Sequence, residues 1–150
     1  MSQCSYDQPK PMNSPDPFRW LPAYQWLAGL CDTATGLLLV FAPAWTLKLM
    51  AVQMPPQPMA FASFVGAFVL SVGLAYFYAA RLPLTLANAS RWQAVWFLTA
   101  LTRTLVAVFL TSQIIIGRME HAWLAVAFTD GALAAFQWTG LSLGWLNFKE

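Results

Sequence analysis

The chain has 150 residues, of which 59% are hydrophobic, 15% aromatic and 9% charged, with a formal net charge of +2. A soluble domain carries about 25% charged residues, so a water-solvated globule is excluded, and the same hydrophobicity excludes disorder over most of the length. The small net charge, spread without a basic run, gives no footing for a nucleic-acid partner.

The first 22 residues hold Pro9, Pro11, Pro15, Pro17 and Pro22 among Ser, Asn, Gln and Asp. Proline lacks the amide donor a helix needs, so an extended or disordered tail is expected over 1–22. It has no apolar stretch of a secretory signal, and Ala42-Pro43-Ala44 further on is a poor cleavage site because proline interrupts it.

Four apolar runs follow: Tyr24–Ala42, Met59–Ala80, Trp92–Ile116 and Ala122–Gly144. Each reaches roughly the 20 residues that carry a helix across a ~30 Å hydrocarbon core. They are too long, and too little alternating, for the strands of a membrane barrel. The fold class predicted is all-α: an integral-membrane four-helix bundle over 23–150. Between the first two runs, Ala44–Val52 sets Trp45, Leu47, Leu49 and Val52 around Lys48 ahead of Pro55-Pro56-Gln57-Pro58, which predicts a short helix lying at the outer surface.

An even number of spans puts both termini on one side. Lys10, Arg19, Arg81, Arg91 and Lys149 fall on that side, against Lys48 and Arg118 on the other. The positive-inside rule then places both termini in the cytoplasm of a bacterial inner membrane. Trp20, Trp26, Trp92, Trp96 and Trp145 lie near the cytoplasmic ends and Trp45 and Trp123 near the outer ends, where indoles anchor in the headgroup region; Trp138 is deeper. Cys4 and Cys31, assigned to tail and membrane interior, are expected as free thiols.

Lipid tails are as apolar as leucine, so helices in a bilayer associate through close backbone approach and polar contacts. Rows of small residues at i+4 spacing predict the packing faces: Ser63, Ala67, Ser71, Ala75 and Ala79 in the second span, Ala127, Gly131, Ala135 and Thr139 in the fourth, and Ala28, Asp32 and Gly36 in the first. Such a face serves the bundle itself or docks another subunit.

Three ionisable residues interrupt the apolar runs: Asp32, Arg103 and Asp130. At 1.5 Å per residue Asp32 is about 12 Å from Tyr24, Asp130 about 12 Å from Ala122 and Arg103 about 18–20 Å from the outer end of its span. All three therefore fall in one layer near the midplane. An unpaired charge there costs from about 2.5 to over 10 kcal/mol. Arg103 keeps its proton, so the two aspartates are its expected partners, one ionised and one neutral. Thr99, Thr102, Thr104 and Gln137 are the predicted supporting polar groups. The cluster reads as an ion-pair clamp that fixes helix register, or as a site for protons, a ligand or a quinone.

No catalytic residue and no metal site is predicted: zinc-spaced Cys/His clusters, phosphate-binding glycine loops and the HExxH motif are missing from the sequence. The single histidine, His121, begins the fourth span, so haem ligation by two histidines of this chain is excluded. One axial bond to a pigment or haem at a subunit interface is the alternative to an interfacial side chain without a cofactor.

Three stretches resemble a known kind of sequence: Gly29-Leu30-Cys31-Asp32 through Gly36-Leu37-Leu38-Leu39 to Ala42-Pro43-Ala44-Trp45, Gly66 through Gly73-Leu74 to Ala79-Ala80-Arg81, and Asp130-Gly131-Ala132-Leu133. Together they resemble small four-helix bacterial membrane proteins of the DoxX-like type and related uncharacterised families. The resemblance implies a four-helix inner-membrane bundle and, for some members, association with thiol or thiosulfate oxidation that feeds quinones. This chain has no cysteine pair inside the bundle, and no catalytic residue carries over. The functional expectation is a non-catalytic accessory or scaffold subunit of a larger bioenergetic complex, in contact with lipid and with other membrane subunits or its own copies, and without a cofactor. The alternative is a small-molecule or proton carrier, or a quinone-linked redox protein, that uses Asp32, Arg103 and Asp130.

Overall fold

The computed structural model describes residues 20–53 and 57–147. The expected tail up to residue 19, with Cys4, Lys10 and Arg19, lies outside the described residues, as do Pro55, Pro56 and Lys149. Every regular element among the described residues is helical: α1 (Leu21–Phe41), α2 (Pro43–Leu49), α3 (Ala60–Ala80), α4 (Leu86–Ile115) and α5 (Leu124–Ser142), the last entered through a 3-10 turn at His121–Trp123.

Two boundaries differ from the sequence reading. Helix α1 starts at Leu21 with Pro22 in its first turn, where a proline is tolerated because its missing N–H would have no intrahelical acceptor. The tail expected over 1–22 is therefore too long by these two residues. Helix α4 starts at Leu86, ahead of the expected Trp92, and runs for 30 residues. Asn88, Ser90 and Arg91 in its first two turns hide this extension from a search for apolar runs. The short helix expected after the first span is α2, which buries Thr46 and Leu47 and exposes Trp45, Lys48 and Leu49.

The long helices pack as two pairs, α1 on α3 and α4 on α5. In the first pair glycines bring the backbones together. A Cβ on Gly36 would stand 2.5 Å from the Leu70 nitrogen, and one on Gly66 would stand 2.6 Å from the Leu39 Cβ and 2.9 Å from the Gly36 oxygen. Gly29 and Gly73 face the partner helix in the same way. The missing side chains at these positions are what lets the two backbones approach so closely. Ala67 and Ser71, predicted on the packing face of the second span, are exposed, and so is Ala135 on α5; Ser63, Ala75 and Gly131 are half-buried. Of the predicted rows Ala79 and Ala127 are buried; the other buried residues are Ala62, Gly66, Gly73 and Tyr76 on α3 and Ala134, Gln137 and Gly140 on α5. A row at i+4 advances about 40° per step around a helix of 3.6 residues per turn, so it winds off any single face.

Trp20 and Trp145 meet edge-to-face at 5.5 Å between ring centroids, which sets the start of α1 beside the end of α5. That end holds an apolar cluster of Leu21, Ala79, Trp92, Val95, Trp96 and Leu146. At the opposite end Leu39, Leu47, Val52 and Ala62 form a second cluster. There the Gln53 N–H donates to the Glu120 carboxylate at 3.0 Å, linking the segment after α2 to the one before α5.

Three helices finish on the same capping geometry, in which the N–H two residues past the last turn bonds back to a carbonyl five residues earlier: Val52 to Leu47, Arg118 to Gln113 and Trp145 to Gly140. The left-handed residue at the turn is Gly117 after α4 and Gly144 after α5, but Ala51 after α2, at φ 59°. A side chain in that conformation costs about 1–2 kcal/mol. Replacing Ala51 by Gly is expected to stabilise the fold by about 1 kcal/mol and Gly117→Ala to destabilise it by a similar amount, read from thermal unfolding in detergent.

Candidate functional site

The face of α4 that turns inward carries Trp92, Trp96, Thr99 and Arg103. Arg103 is 5% exposed and its three donor nitrogens go to three different helices. Its Nη2 donates to Asp32 Oδ2 on α1, its Nη1 to Asp130 Oδ1 on α5 and its Nε to the Tyr76 hydroxyl on α3 at 3.3 Å. The guanidinium carbon also stands 5.7 Å from the centroid of the Tyr76 ring. One side chain of α4 thus bonds every other long helix. Arginine suits this junction because its planar fork offers donors in fixed directions and its charge is permanent.

The two aspartates flank the guanidinium, with side chains 15% and 17% exposed. Two carboxylates against one guanidinium leave a formal excess of one negative charge when both are ionised. The three residues singled out in the sequence therefore come together.

The predicted supporting groups divide. Thr99 accepts from Gln137 Nε2 at 2.7 Å and donates to the Val95 carbonyl, in a layer beside the charged one. Thr104 accepts from Trp138 Nε1 at 3.0 Å and thereby joins α4 to α5. Thr102 is exposed and bonds the Leu98 carbonyl of its own helix, so it has no part in the cluster. His121 is exposed in the 3-10 turn that precedes α5. Cys31 is an exposed free thiol. No group of three or more His, Cys, Asp or Glu that could hold a metal occurs among the described residues.

Sequence reasoning missed Tyr76 and Gln25, both with no exposed surface. Each carried a signal: Tyr76 stands midway between Gly73 and Ala79 on the small-residue face of its span, and Gln25 is an amide at the second position of an apolar run. Around Tyr76 an aromatic layer draws on all four long helices, the Tyr24 ring lying 6.2 Å from Tyr76, 5.5 Å from Trp96 and 5.0 Å from Phe136. Tyr76→Phe keeps this layer and removes the acceptor of Arg103 Nε. A loss of about 1 kcal/mol is expected, measurable by denaturant unfolding in mixed micelles.

No protein-family model, curated protein or solved structure matches the chain.

Proposed function

We propose that the chain is a multi-pass integral-membrane four-helix bundle of the bacterial inner membrane, with α1, α3, α4 and α5 as its spans and both chain ends cytoplasmic, and that it serves as a non-catalytic accessory or scaffold subunit. What supports the membrane reading is an inverted polarity. Gln25, Thr99, Arg103 and Gln137 are buried, whereas Leu27 and Leu30 on α1, Phe64 and Phe68 on α3, Leu105 and Phe109 on α4 and Phe128 on α5 are exposed. Helices α3 and α4 are each long and apolar enough to cross a membrane, with mean hydropathies of 1.9 and 1.7 over windows that are 22% and 39% buried. The core helix of a soluble protein is mostly buried; these turn most of their apolar surface outward. Lipid is the solvent such a surface matches.

The observation that carries the scaffold reading is the Arg103 junction. Each of its three nitrogens donates to a side chain of a different helix, an arrangement that fixes helix register. The exposed flank of α4 and α5 adds an apolar groove of about 640 Å³ lined by Ala107, Thr111, Ala127 and Gly131 among others, a surface suited to neighbouring helices or lipid tails. Gentle solubilisation from native membranes tests the reading. The expected result is a defined assembly with other membrane subunits or with further copies of the chain; a monomer that carries nothing with it contradicts a scaffold role.

A further inference from the structure

Asp32 divides α1 into two flanks. Counted at about 100° per residue, Gly29, Thr33 and Gly36 stand to one side of it, against α3. Tyr24, Cys31 and Thr35 stand to the other. On α5, Gly131 stands to one side of Asp130, toward Ala107 of α4, and Thr129, Leu133 and Phe136 to the other. The flanks of Tyr24 and Phe136 face each other, since these two rings lie 5.0 Å apart. That contact closes the α1–α5 seam at the end where α1 begins. At the opposite end Ala122 and Trp123, which lead into α5, pack against the cluster of Leu39 and Leu47. Between the two closures α1 and α5 form no close-packed pair, and Cys31, Thr35 and Thr129 are exposed there.

This gap is level with the charged layer. Asp32 meets Arg103 through Oδ2 and Asp130 through Oδ1. The second oxygen of each carboxylate accepts no hydrogen bond among the described residues, and neither is fully buried. With both aspartates ionised, the cluster carries one negative charge more than Arg103 offsets. A charge at that depth is costly without a partner, and lipid tails supply none. Helices α1, α3 and α5 contain no Lys or Arg, and α4 has only Arg91, in its second turn, besides Arg103. A second copy of the chain therefore brings no spare cation to this depth.

We infer that the gap between α1 and α5 docks a membrane-spanning helix of another protein that carries one Lys or Arg at mid-depth, whose cation pairs with the free oxygens of Asp32 and Asp130. Either side chain holds its charge at the tip of a flexible apolar stem, which enters between Thr35 and Thr129 from a helix lying outside. The short side chains at these two positions and at Cys31 let that helix come close. The inference rests on the scaffold reading and names the chemistry of the partner.

Binding of synthetic helices to the full chain in phosphatidylcholine vesicles tests it, followed by energy transfer from the protein's tryptophans to a label on the peptide. The probes are leucine-alanine helices of about 20 residues with either Lys or Leu at the centre. The wild type is expected to bind the Lys helix about tenfold more tightly than the Leu helix. Asp32→Asn and Asp130→Asn each abolish the preference, because the remaining carboxylate is then balanced by Arg103. Thr35→Phe abolishes it with every charge in place, because the ring fills the gap. Gly131→Ala, on the other flank of α5, keeps it. Equal binding of the two helices by the folded wild type overturns the cationic partner, and a preference that emerges only in alkaline buffer makes a proton the occupant instead. A preference that survives Thr35→Phe overturns the place, and displacement of the Lys helix by unlabelled copies of the chain makes the gap a self-association surface. Alkaline extraction of the same vesicles keeps the levels apart. Protein retained by the membrane without the preference refutes the cationic partner alone and leaves the scaffold reading to its own test, whereas protein released into the supernatant refutes the spanning reading.

Discussion

Replacing Arg103 by Gln is expected to lower the stability of the bundle by about 3–5 kcal/mol, because it strands buried carboxylates without their counter-charge. Asp32→Asn or Asp130→Asn alone costs far less, about 1 kcal/mol. The other carboxylate still neutralises the guanidinium, and the new amide oxygen still accepts from it. Changing both aspartates strands the arginine instead and is expected to be as damaging as the loss of Arg103. The effects are therefore strongly non-additive, as expected for groups that share one hydrogen-bonded centre. Arg103→Lys does not restore stability, since a single ammonium on a flexible stem cannot reproduce three donors aimed at three helices. Unfolding in mixed micelles followed by circular dichroism gives the ranking. Equal, additive losses for the two aspartates would show two independent ion pairs in place of one junction.

Gly36→Ala is the second substitution with a large expected effect. The added Cβ would meet the backbone of Leu70, at 2.5 Å from its nitrogen and 2.7 Å from its Cα, and backbone in a helix cannot step aside as a side-chain tip can. The α1–α3 pair must separate or shift. Overpacking of this kind costs about 1–3 kcal/mol, and the upper part of that range is expected. Gly66→Ala meets Leu39 and the Gly36 carbonyl on the same contact and is expected to behave alike. Gly131→Ala on α5 is the control, because its Cβ would lie 3.7 Å from the Ala107 Cβ, an ordinary contact. That change is expected within about 0.5 kcal/mol of the parent, with helix propensity favouring alanine. Thermal unfolding of the three variants in one detergent makes the comparison.

The parts of this structure that were legible in the sequence are those with a high cost of misplacement. A charge in an apolar run is conspicuous, and counting turns from the span ends set Asp32, Arg103 and Asp130 at one depth. Their meeting on the Arg103 fork follows from the same electrostatics. Tyr76 was not legible in this way, because a tyrosine near a span end is as well explained by the headgroup region as by a bond to a buried guanidinium. The packing faces were half-legible: the glycines that form the α1–α3 contact stand out, but the i+4 row through Ala67 and Ser71 winds to the outside, whereas Gly66 and Gly73, seven residues apart, stay on one seam. The start of α4 was hidden because Asn88, Ser90 and Arg91 are polar yet helical, and hydropathy reports the solvent around a helix more directly than its ends.

In the proposed bundle all four long helices turn their outer faces to lipid around an internal charged layer. Leu30, Phe68, Leu105 and Phe128 mark those faces on α1, α3, α4 and α5, with 61%, 59%, 62% and 79% of their surface exposed. With Cys4 and Cys31 changed to Ser, a single cysteine at each of these positions carries a spin label in a reconstituted bilayer, and its relaxation is compared in the presence of oxygen and of a water-soluble nickel chelate. Oxygen is expected to dominate at all four positions. A label on α1 or α5 relaxed chiefly by the nickel chelate would contradict it.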